Sequence, residues 1–459
     1  MNNKRVVVLL KYYKGELNPF DGAALECALQ MGAREIVALT MAPLSVKAAL
    51  QSLTRLGVKC VLVSDNVYAG SDTQATSRVL ETALRKLSPD SIFCGRQSVD
   101  GDTAQVPPML AQRLGFDIRA KVMAFDGEKF TLRSGETVLP KEKTVYTFEK
   151  IYTLRFPSIF SKAGEVEIWD NSLLQIPKEE CGQLGSPTRV IKSYESSVGR
   201  RACQYIDDKT FDGIIQSAFL KQKTETFQES GEKLDEAYYV GNVGEITKHI
   251  ARKAVALCVE GKTPEQIAKE IRDKNVKTVL FEDSDTLKIL AAKVAVLTGA
   301  GLCADCISFR AENNKLIMTR PALGGNVTAD IINDNEIAFA TVRTAKKGDR
   351  DIIFSVGKGG IAYLDKIKTW AEKYGATLCC SRSVADSGVL PYEMQVGLTG
   401  KTVSPKVYVT FGISGAVQHT CAIAGAGTVI AVNVDKQARI FDYADYGIIS
   451  DINTLKIGE

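Results

Sequence analysis

The 459-residue sequence lacks the features that mark several large classes of protein. Lysine plus arginine number 58 against 54 for aspartate plus glutamate, and a net charge of only +4 argues against a nucleic-acid-binding surface. No apolar run approaches the ~20 residues that span a bilayer, so no membrane insertion is expected. The apolar run Val6–Leu10 is too short for a signal sequence, and we predict that it forms a buried strand.

Histidines and paired cysteine motifs are also scarce. Only two histidines occur, and the eleven cysteines have no regular spacing, which is typical of reduced thiols in the cytoplasm. Cys303 and Cys306 form a single C-x-x-C motif without a second pair or a nearby histidine. Buried small side chains are therefore favoured over a metal or redox role, and no metal site is predicted.

Strands and helices alternate through the first third of the chain. Such alternation predicts a parallel sheet covered by helices, with ligands at the carboxyl ends of the strands. The predicted strands are Val6–Leu10, Glu35–Thr40, Val58–Ser64 and Ser91–Gly95, and the predicted helices are Gly22–Met31, Ser45–Leu56 and Thr73–Leu87. The segment Asp100–Gln105 follows the last of these strands, at the place where a ligand is expected.

The Asp100–Gln105 segment has two interpretations of equal weight. The backbone amides around Gly101 and Thr103, with the Thr103 hydroxyl, are suited to donate hydrogen bonds to an anionic ligand at a helix start. Alternatively, its aspartate and threonine side chains only cap that helix. The same alternatives apply to Asn18–Asp21, which precedes the first predicted helix.

A second combination of strand, turn and helix lies near the carboxyl end of the chain. Val407–Phe411 has the length and side-chain types of a buried strand, and Gly412 and Gly415 allow a tight turn into a helix. The first amides of that helix are suited to an anion, although a turn that merely packs fits the same pattern. His419 lies about one turn into the helix, and Ser381–Arg382 supplies a hydroxyl and a guanidinium upstream.

Two sets of motifs carry a resemblance to a known family. The first set resembles the FAD-binding domain of the electron transfer flavoprotein α subunit and consists of Ser381–Arg382, Gln395–Lys401, Gly412–His419 and Ala444–Ile448. The second set is similar to motifs of the β subunit and consists of Asn18–Asp21, Gly95–Gln105 and Gly185–Arg189. The chain therefore resembles a β subunit fused ahead of a shortened α subunit.

The resemblance implies an α/β fold with three domains. Two doubly wound domains of the adenine-nucleotide α-hydrolase-like type are expected at 1–220 and 236–350, with a polar linker at 221–235. A Rossmann-like FAD-binding domain of the DHS-like type is expected at 351–459. The 236–350 domain is shorter than its family counterpart, and helical stretches are predicted in it at Ile246–Val259 and Pro264–Lys274.

The resemblance also implies an FAD site in the C-terminal domain. Arg382 is expected against the flavin ring, Thr399 near the flavin N5, and His419 as a donor toward a pyrimidine carbonyl. Asn433 and Asp451 are expected at the adenosine end. The complete set expected at this FAD is Lys358, Ser381, Arg382, Gln395, Val396, Gly397, Leu398, Thr399, Gly412, Ser414, Gly415, Ala416, Val417, Gln418, His419, Asn433, Asp451 and Ile452.

A second adenine-nucleotide site is implied in the β-like domain. Family members with an Asp-Gly-Asp-Thr-Ala-Gln segment tend to hold a second FAD there, whereas members with a more acidic, asparagine-containing form hold AMP. This chain has the first form, so a second FAD is favoured over AMP. The residues expected at this site are Asn18, Phe20, Gln97, Asp100, Gly101, Asp102, Thr103, Ala104 and Gln105.

The implied function is that of an electron carrier without a catalytic residue of its own. It transfers single electrons through FAD between a dehydrogenase or reductase and another redox protein, such as an acyl-CoA dehydrogenase-like flavoprotein, a ferredoxin or a flavodoxin. Two alternatives stay open, namely NADH-dependent electron bifurcation and non-redox binding of an adenine nucleotide. Short segments at Lys11–Leu17 and Arg155–Ala163, and Lys358 where the family usually has arginine, argue against NADH oxidation and the usual dehydrogenase partner.

Overall fold

The computed structural model describes residues 4–195, 199–220, 232–323, 327–343, 351–398 and 400–458. These residues form two compact units. The first unit contains residues 4–192, 232–323 and 329–342, and the second contains residues 193–195, 199–220, 327–328, 343, 351–398 and 400–458. Among the helices of these ranges, none combines the length and apolar character required to cross a membrane.

Residues 4–195 form twelve strands and five α-helices. The strands are β1 Arg5–Leu9, β2 Tyr12–Tyr13, β3 Glu16–Leu17, β4 Glu35–Met41, β5 Lys59–Val63, β6 Ser91–Gly95, β7 Asp117–Phe125, β8 Phe130–Leu132, β9 Thr137–Val138, β10 Thr144–Phe148, β11 Val166–Trp169 and β12 Thr188–Glu195. The helices are α1 Pro19–Gln30, α2 Lys47–Thr54, α3 Thr73–Leu87, α4 Val106–Leu114 and α5 Asn171–Leu174.

A nine-stranded sheet with the order β11-β5-β4-β1-β6-β10-β7-β8-β9 dominates this part of the first unit. Its pairs are parallel from β11 through β7 and antiparallel from β7 to β9, so the predicted parallel sheet is confirmed. β1 is an inner strand of this sheet, with Val8 opposite Ala38 on β4 and Phe93 on β6. Helices cover both faces, which explains why β1 is an unbroken apolar run rather than an alternating one.

The carboxylate of Asp21 in the first turn of α1 ties this helix to two central strands. Asp21 Oδ2 accepts a hydrogen bond of 2.7 Å from the Lys11 amide beyond β1, and Oδ1 accepts one of 2.7 Å from the Gly95 amide at the end of β6. Burial raises the pKa of Asp21 to about 7, although these hydrogen bonds act in the opposite direction. A Cβ atom at Gly95 would lie 2.4 Å from Asp21 Oδ1, so only glycine fits there.

Nine strands and four α-helices follow in the described residues between 199 and 342. The strands are β13 Gln204–Tyr205, β14 Leu234–Val240, β15 Ala251–Ala256, β16 Thr278–Glu282, β17 Gly301–Cys306, β18 Ser308–Glu312, β19 Lys315–Ala322, β20 Val327–Asn333 and β21 Ala338–Val342. The helices are α6 Phe211–Leu220, α7 Gly244–Ile250, α8 Pro264–Asp273 and α9 Asp285–Thr298.

The segment 232–342 belongs to the same compact unit as residues 4–192, although the sequence predicts a separate domain at 236–350. It forms a parallel sheet with the order β15-β14-β16-β21-β17, and β18 to β20 join β12 in a second sheet. Gln74 on α3 donates to the carbonyls of Ala295 and Ala300 at 2.8 and 3.0 Å, and Met109 on α4 is part of the apolar core of this segment. Buried polar and apolar contacts therefore join the two predicted domains.

The structure corrects one of the two helices predicted in this segment. Pro264–Lys274 is confirmed as α8, which begins with a capping box between Thr263 and Gln266. Ile246–Val259 is wrong as a single helix, because α7 ends at Ile250 and the chain continues as strand β15. β15 pairs in parallel with β14, placing Ala254 opposite Ala237, so pairing with a distant strand outweighs the local helical pattern.

The second unit is built on a six-stranded parallel sheet with the order β13-β26-β25-β24-β22-β23. Its remaining strands are β22 Ile352–Val356, β23 Thr377–Cys380, β24 Val407–Phe411, β25 Thr428–Asn433 and β26 Tyr446–Ile449, and its remaining helices are α10 Leu364–Lys373, α11 Arg382–Asp386 and α12 Val417–Thr420. Val407–Phe411 is therefore confirmed as a buried strand.

Residues 199–220 are part of this second unit, which differs from the predicted domain boundary at residue 220. β13 pairs in parallel with β26 at the edge of the sheet. Phe211 and Ile215 on α6 pack in the same apolar core as Phe354 and Ile448. Burial of apolar side chains against a sheet that follows more than 100 residues later in the sequence explains the difference, because no local pattern reveals such a contact.

Candidate functional site

The second unit gathers most of the predicted FAD residues at one edge of its sheet. Lys358 follows β22, Ser381 follows β23, Gly412 follows β24, Asn433 ends β25 and Asp451 follows β26. These five strands are parallel, so their carboxyl ends meet at the same edge. The structure thus brings together residues that are nearly 100 positions apart in the sequence.

The turn after β24 is held by close contacts between backbones. Gly412 has φ +65°, and a Cβ atom there would lie 2.5 Å from the Gly360 amide nitrogen. Gly415 has φ +85°, and a Cβ atom there would lie 2.1 Å from the Ile440 nitrogen. Both glycines are therefore required by protein packing. Beyond the turn, buried and exposed residues alternate, and the exposed ones are Ser414, Ala416 and Gln418. This row leaves three predicted contact residues accessible to a ligand.

The predicted loop that begins at Gln395 lies between the end of β23 and helix α12. The Val396 amide donates to the Cys380 carbonyl at 2.9 Å, and the Leu398 amide donates to the Gln418 carbonyl at 2.6 Å. These bonds place the loop beside Ser381 and the start of α12. Thr399, which the sequence predicts near the flavin N5, lies outside the described residues.

Arg382 is the first residue of α11 and stays partly accessible. Its Nε lies 3.3 Å from Asp386 Oδ2, and the Tyr392 hydroxyl donates to the other carboxylate oxygen at 2.7 Å. The exposed fraction of the Arg382 side chain is 36%, and an ion pair at such a surface contributes about 0–1 kcal/mol. The ion pair with Asp386 therefore adds little to the cost of turning the guanidinium toward a ligand.

His419 is buried, and both of its ring nitrogens have partners within the protein. Nδ1 lies 3.1 Å from the Val396 carbonyl, and Nε2 lies 3.0 Å from the Tyr408 hydroxyl. Since a carbonyl only accepts, Nδ1 carries the proton, and Nε2 accepts from Tyr408. Burial lowers the pKa of His419 to about 4. The imidazole is therefore neutral near pH 7, and donation to a ligand requires the exchange of one of these two bonds.

The Asn433 side chain is also occupied within the protein. Its Nδ2 donates to the Ile413 carbonyl at 2.9 Å, and its Oδ1 accepts from the Asp435 amide at 3.0 Å. Asn433 therefore holds the turn after β24 against the end of β25. Asp451 is exposed beyond β26, and Ile452 beside it is buried in the core.

A cavity of about 1060 Å³ lies in the first unit at the carboxyl ends of β1, β4, β5 and β6. Six of the nine residues predicted at the second nucleotide line it, namely Asn18, Gln97, Gly101, Thr103, Ala104 and Gln105. Phe20, Asp100 and Asp102 are outside the lining. The Arg96 guanidinium lies over the Phe20 ring at 5.3 Å, Asp100 pairs with Lys11 at 2.9 Å, and Asp102 accepts from Gln97 Nε2 at 2.9 Å. Contacts within the protein thus occupy these three side chains.

The loop before α4 presents backbone amides at this cavity. Asp102 and Ala104 have left-handed φ values of +52° and +55°. Among the described residues, the amides of Thr103 and Ala104 form no hydrogen bond. Gln105 occupies the N-cap position of α4 without a side-chain cap, which argues against the interpretation that this segment only caps the helix. The geometry suits an anion.

Gln105 has a role that its position in the motif did not reveal. Its Oε1 accepts from the Thr73 hydroxyl at 2.7 Å, and its Nε2 donates to the Leu302 carbonyl at 3.2 Å. Because Leu302 lies on β17, this side chain fixes the segment 232–342 at the wall of the cavity. Leu302, Cys303, Ala304 and Arg320 also line the cavity, and the prediction missed all four. In the sequence, only the Arg320-Pro motif marked one of these four residues. No local pattern connected that motif with the predicted ligand segment Asp100–Gln105.

Cys303 and Cys306 are buried in β17, and both are free thiols. Burial raises the pKa of Cys306 well above its usual value, and its Sγ lies 3.7 Å from the Cys303 carbonyl. Among the described residues, no group of three or more histidine, cysteine or acidic side chains is arranged to hold a metal ion.

We expect the neutral, buried His419 to make the protein less stable in acid. Its pKa is about 4 when folded against 6.5 when exposed, so its contribution is complete above pH 6.5 and is lost as the pH falls toward 4. The unfolding free energy should fall by about 2 kcal/mol more between pH 7.5 and pH 5 in the wild type than in His419→Gln.

Chemical denaturation at both pH values, followed by the signal of the second unit, checks this difference. Glutamine retains a donor and an acceptor but does not titrate, so His419→Gln is the matched control. Equal pH dependence in the two proteins would show that folding does not lower the pKa of His419.

Comparison with known families identifies both parts of the chain. The family described as "Electron transfer flavoprotein domain" matches residues 6–137 and 249–346, and the one described as "Electron transfer flavoprotein FAD-binding domain" matches residues 348–424. The second match includes Lys358, Ser381–Arg382 and the segment from Gln395 to His419.

Individual relatives agree with this result. The chain is 32% identical over 233 residues to the electron transfer flavoprotein subunit alpha of Thermoanaerobacterium thermosaccharolyticum, covering 41% of this chain and 70% of the relative. It is 32% identical over 220 residues to subunit beta of the same organism, covering 44% of this chain and 82% of the relative. A third relative is the lactate dehydrogenase (NAD(+),ferredoxin) subunit LctC of Acetobacterium woodii, 33% identical over 220 residues, with 38% of this chain and 53% of the relative covered.

Similarity to both subunits, the matches along the chain and the convergence of motif residues at the two sites lead to one conclusion. The chain belongs to the electron transfer flavoprotein family and joins a β-type part to a shortened α-type part that ends in an FAD-binding domain.

Proposed function

We propose that this chain is a single-chain electron carrier that transfers electrons between two redox proteins through FAD bound to the second unit. The observation that carries the proposal is the meeting of Lys358, Ser381 and Gly412 at one edge of a parallel sheet, within the segment that matches the FAD-binding family. We further propose that an adenine nucleotide occupies the cavity of the first unit and that the protein acts in the cytoplasm.

The residues present fit FAD at the edge of the second sheet. The exposed row of Ser414, Ala416 and Gln418 offers polar and backbone contacts. Lys358 and Arg382 are two cations that keep exposure to solvent, as a pyrophosphate and an electron-rich ring require. When bound, FAD supplies the redox chemistry, and the protein contributes binding, orientation and electrostatics. Arg382 adds positive charge, whereas His419 and Tyr408 position the loop at Val396.

The cavity of the first unit supports a dinucleotide over a mononucleotide. Its volume of about 1060 Å³ reaches the upper end of the ~300–1,000 Å³ that is typical for small-molecule sites. It extends from the loop at Gln97–Gln105 past the ends of β4 and β5. A second FAD is therefore favoured over AMP, in agreement with the Asp-Gly-Asp-Thr-Ala-Gln motif.

The cofactor content of freshly purified protein tests both sites. We expect two FAD molecules per chain when the protein is denatured and its nucleotides are separated by chromatography and related to protein concentration. One FAD with one AMP would contradict the preference for FAD in the cavity. One FAD without a further nucleotide would overturn the second site, and a colourless protein would favour the non-redox alternative.

We expect Arg382→Ala to lower the midpoint potential of the FAD in the second unit. Reduction adds negative charge, and one positive charge nearby contributes about 1 kcal/mol, which corresponds to about 40 mV for one electron. A potentiometric titration followed by flavin absorbance measures the shift. Arg382→Lys is the control, because it keeps the charge and should stay close to the wild type. An unchanged potential in Arg382→Ala would refute the placement of this residue beside the flavin.

We propose that the redox partner docks on an apolar segment of the first unit. Phe156, Ile159 and Phe160 are 93%, 83% and 88% exposed, and these residues form an unusual concentration of uncovered large apolar side chains. The segment carries no lysine cluster, so apolar contact rather than charge is expected to dominate. The partner class is an acyl-CoA dehydrogenase-like flavoprotein, a ferredoxin or a flavodoxin, and the short segment at Arg155–Ala163 makes a dehydrogenase of the usual kind the least favoured of the three.

Replacing both Phe156 and Phe160 with serine should lower the second-order rate constant of FAD reduction by such a partner about tenfold or more, since buried aromatic anchors dominate binding. Stopped-flow absorbance with an acyl-CoA dehydrogenase and with a reduced flavodoxin measures this rate. Leu184→Ser, at a residue 78% exposed elsewhere in the first unit, is the matched control. A wild-type rate in the double variant would exclude this surface as the docking site.

Rapid reduction of the FAD by NADH alone would instead favour the bifurcation alternative, which the LctC relative supports.

A further inference from the structure

Arg320 on β19 lines the cavity of the first unit, although no sequence argument placed it there. Only 5% of this residue is exposed to solvent. Its Nε and Nη2 atoms are buried and have no hydrogen-bond partner among the described residues. A guanidinium with five donors has therefore been brought to the wall of a cavity without a protein acceptor for these two nitrogens.

The carboxylates that line the same cavity are already engaged elsewhere. Asp21 accepts from two backbone amides at the ends of β1 and β6. Asp65 accepts from the amides of Val67 and Asn171. Asp72 accepts from the Ala75 amide and from the amide and hydroxyl of Thr188. Asp170 caps α5. In the part of the chain that the structure describes, none of the four forms an ion pair with Arg320.

The other cation that lines the cavity, Lys11, is in a different environment from Arg320. Lys11 has a side chain that is 51% exposed and pairs with Asp100 at 2.9 Å. Arg320 is buried, and its Nε and Nη2 have no hydrogen-bond partner among the described residues, which is unfavourable for a charged group. An anion delivered by the ligand reduces this cost. These two nitrogens therefore indicate an anionic group as the ligand of this part of the cavity.

Arg320 belongs to the same region of the cavity wall as the loop before α4. The Leu323 amide, just beyond β19, donates to the Asp100 carbonyl at 3.1 Å. Gln105 at the other end of this loop donates to the Leu302 carbonyl on β17 at 3.2 Å. The unbonded amides of Thr103 and Ala104 lie between these two attachment points. A guanidinium and free amides at a helix start are the donors that phosphate oxygens accept from.

We propose that Arg320 binds the phosphate-bearing part of the adenine nucleotide in this cavity, together with the amides of Thr103 and Ala104. This inference rests on the proposed nucleotide site and adds the residue that distinguishes a nucleotide from a nucleoside. Arg320 comes from the α-type part, whereas the predicted site residues come from the β-type part. The nucleotide site is therefore complete only when both parts are folded in one unit.

The test compares AMP with adenosine, which differ only by the phosphate. The full-length protein is freed of the nucleotide in the first unit and titrated with each compound by calorimetry. The wild type should bind AMP at least about 30-fold more tightly than adenosine, because hydrogen bonds to charged groups are the strong ones. In Arg320→Gln this preference should fall to about threefold or less, with the adenosine affinity unchanged.

Two further variants make the result specific. Arg320→Lys keeps the charge but loses the planar fork, so its preference should lie between those of the wild type and Arg320→Gln. Arg310→Gln is the matched control, because Arg310 lies on β18, next to β19, and pairs with Asp330. This variant should keep the wild-type preference for AMP over adenosine. FAD retained by the second unit and the unfolding temperature report whether each variant is folded.

The outcomes separate this inference from the proposed function. A wild-type preference for AMP that persists in Arg320→Gln would overturn the role of Arg320 and leave the nucleotide site standing. A wild type that binds neither AMP nor adenosine would overturn the nucleotide site itself. If Arg320→Gln does not fold, Arg320→Lys provides the test. A preference of Arg320→Lys for AMP over adenosine equal to that of the wild type would exclude a bidentate contact between Arg320 and the phosphate.

Discussion

Parallel pairing of strands is the constraint on which both candidate sites depend. In each unit, the central strands run in one direction, so every segment that leaves a carboxyl end is delivered to the same edge. Residues far apart in the sequence thus become neighbours without any long-range contact between their own side chains. Asp21 reinforces this arrangement in the first unit by joining the ends of β1 and β6 to the start of α1.

The two sites use this edge in different ways. In the second unit, close-packed glycines hold the turns, and a row of exposed residues faces outward. In the first unit, β17 and β19 close the edge into a cavity, and buried polar groups line it. An open edge suits a cofactor that must exchange electrons with a partner, since its ring has to come close to another protein. A cavity lined by buried polar groups suits a ligand that stays bound.

Sequence patterns could locate the candidate sites but not the state of their side chains. The position of Asp100–Gln105 followed from one strand and one helix, which are local features. The second role of Gln105 did not, because its partner Leu302 is 197 residues away. Likewise, the neutral state of His419 depends on its burial, which a local sequence pattern does not reveal. The strand β15 was mistaken for helix because its pairing with β14 is invisible in a local pattern.

The sheet of the second unit includes β13, and its core includes α6, both from a segment that precedes residue 221. The chain therefore enters this unit, leaves it for the first unit, touches it again at residues 327–328 and returns to it from residue 343. No single stretch of the gene encodes the FAD-binding module in full. Expression of residues 351–459 alone would leave Ile448 and Phe354 without the side chains of α6 that cover them. Truncation to these residues would therefore expose part of the apolar core of the second unit to solvent.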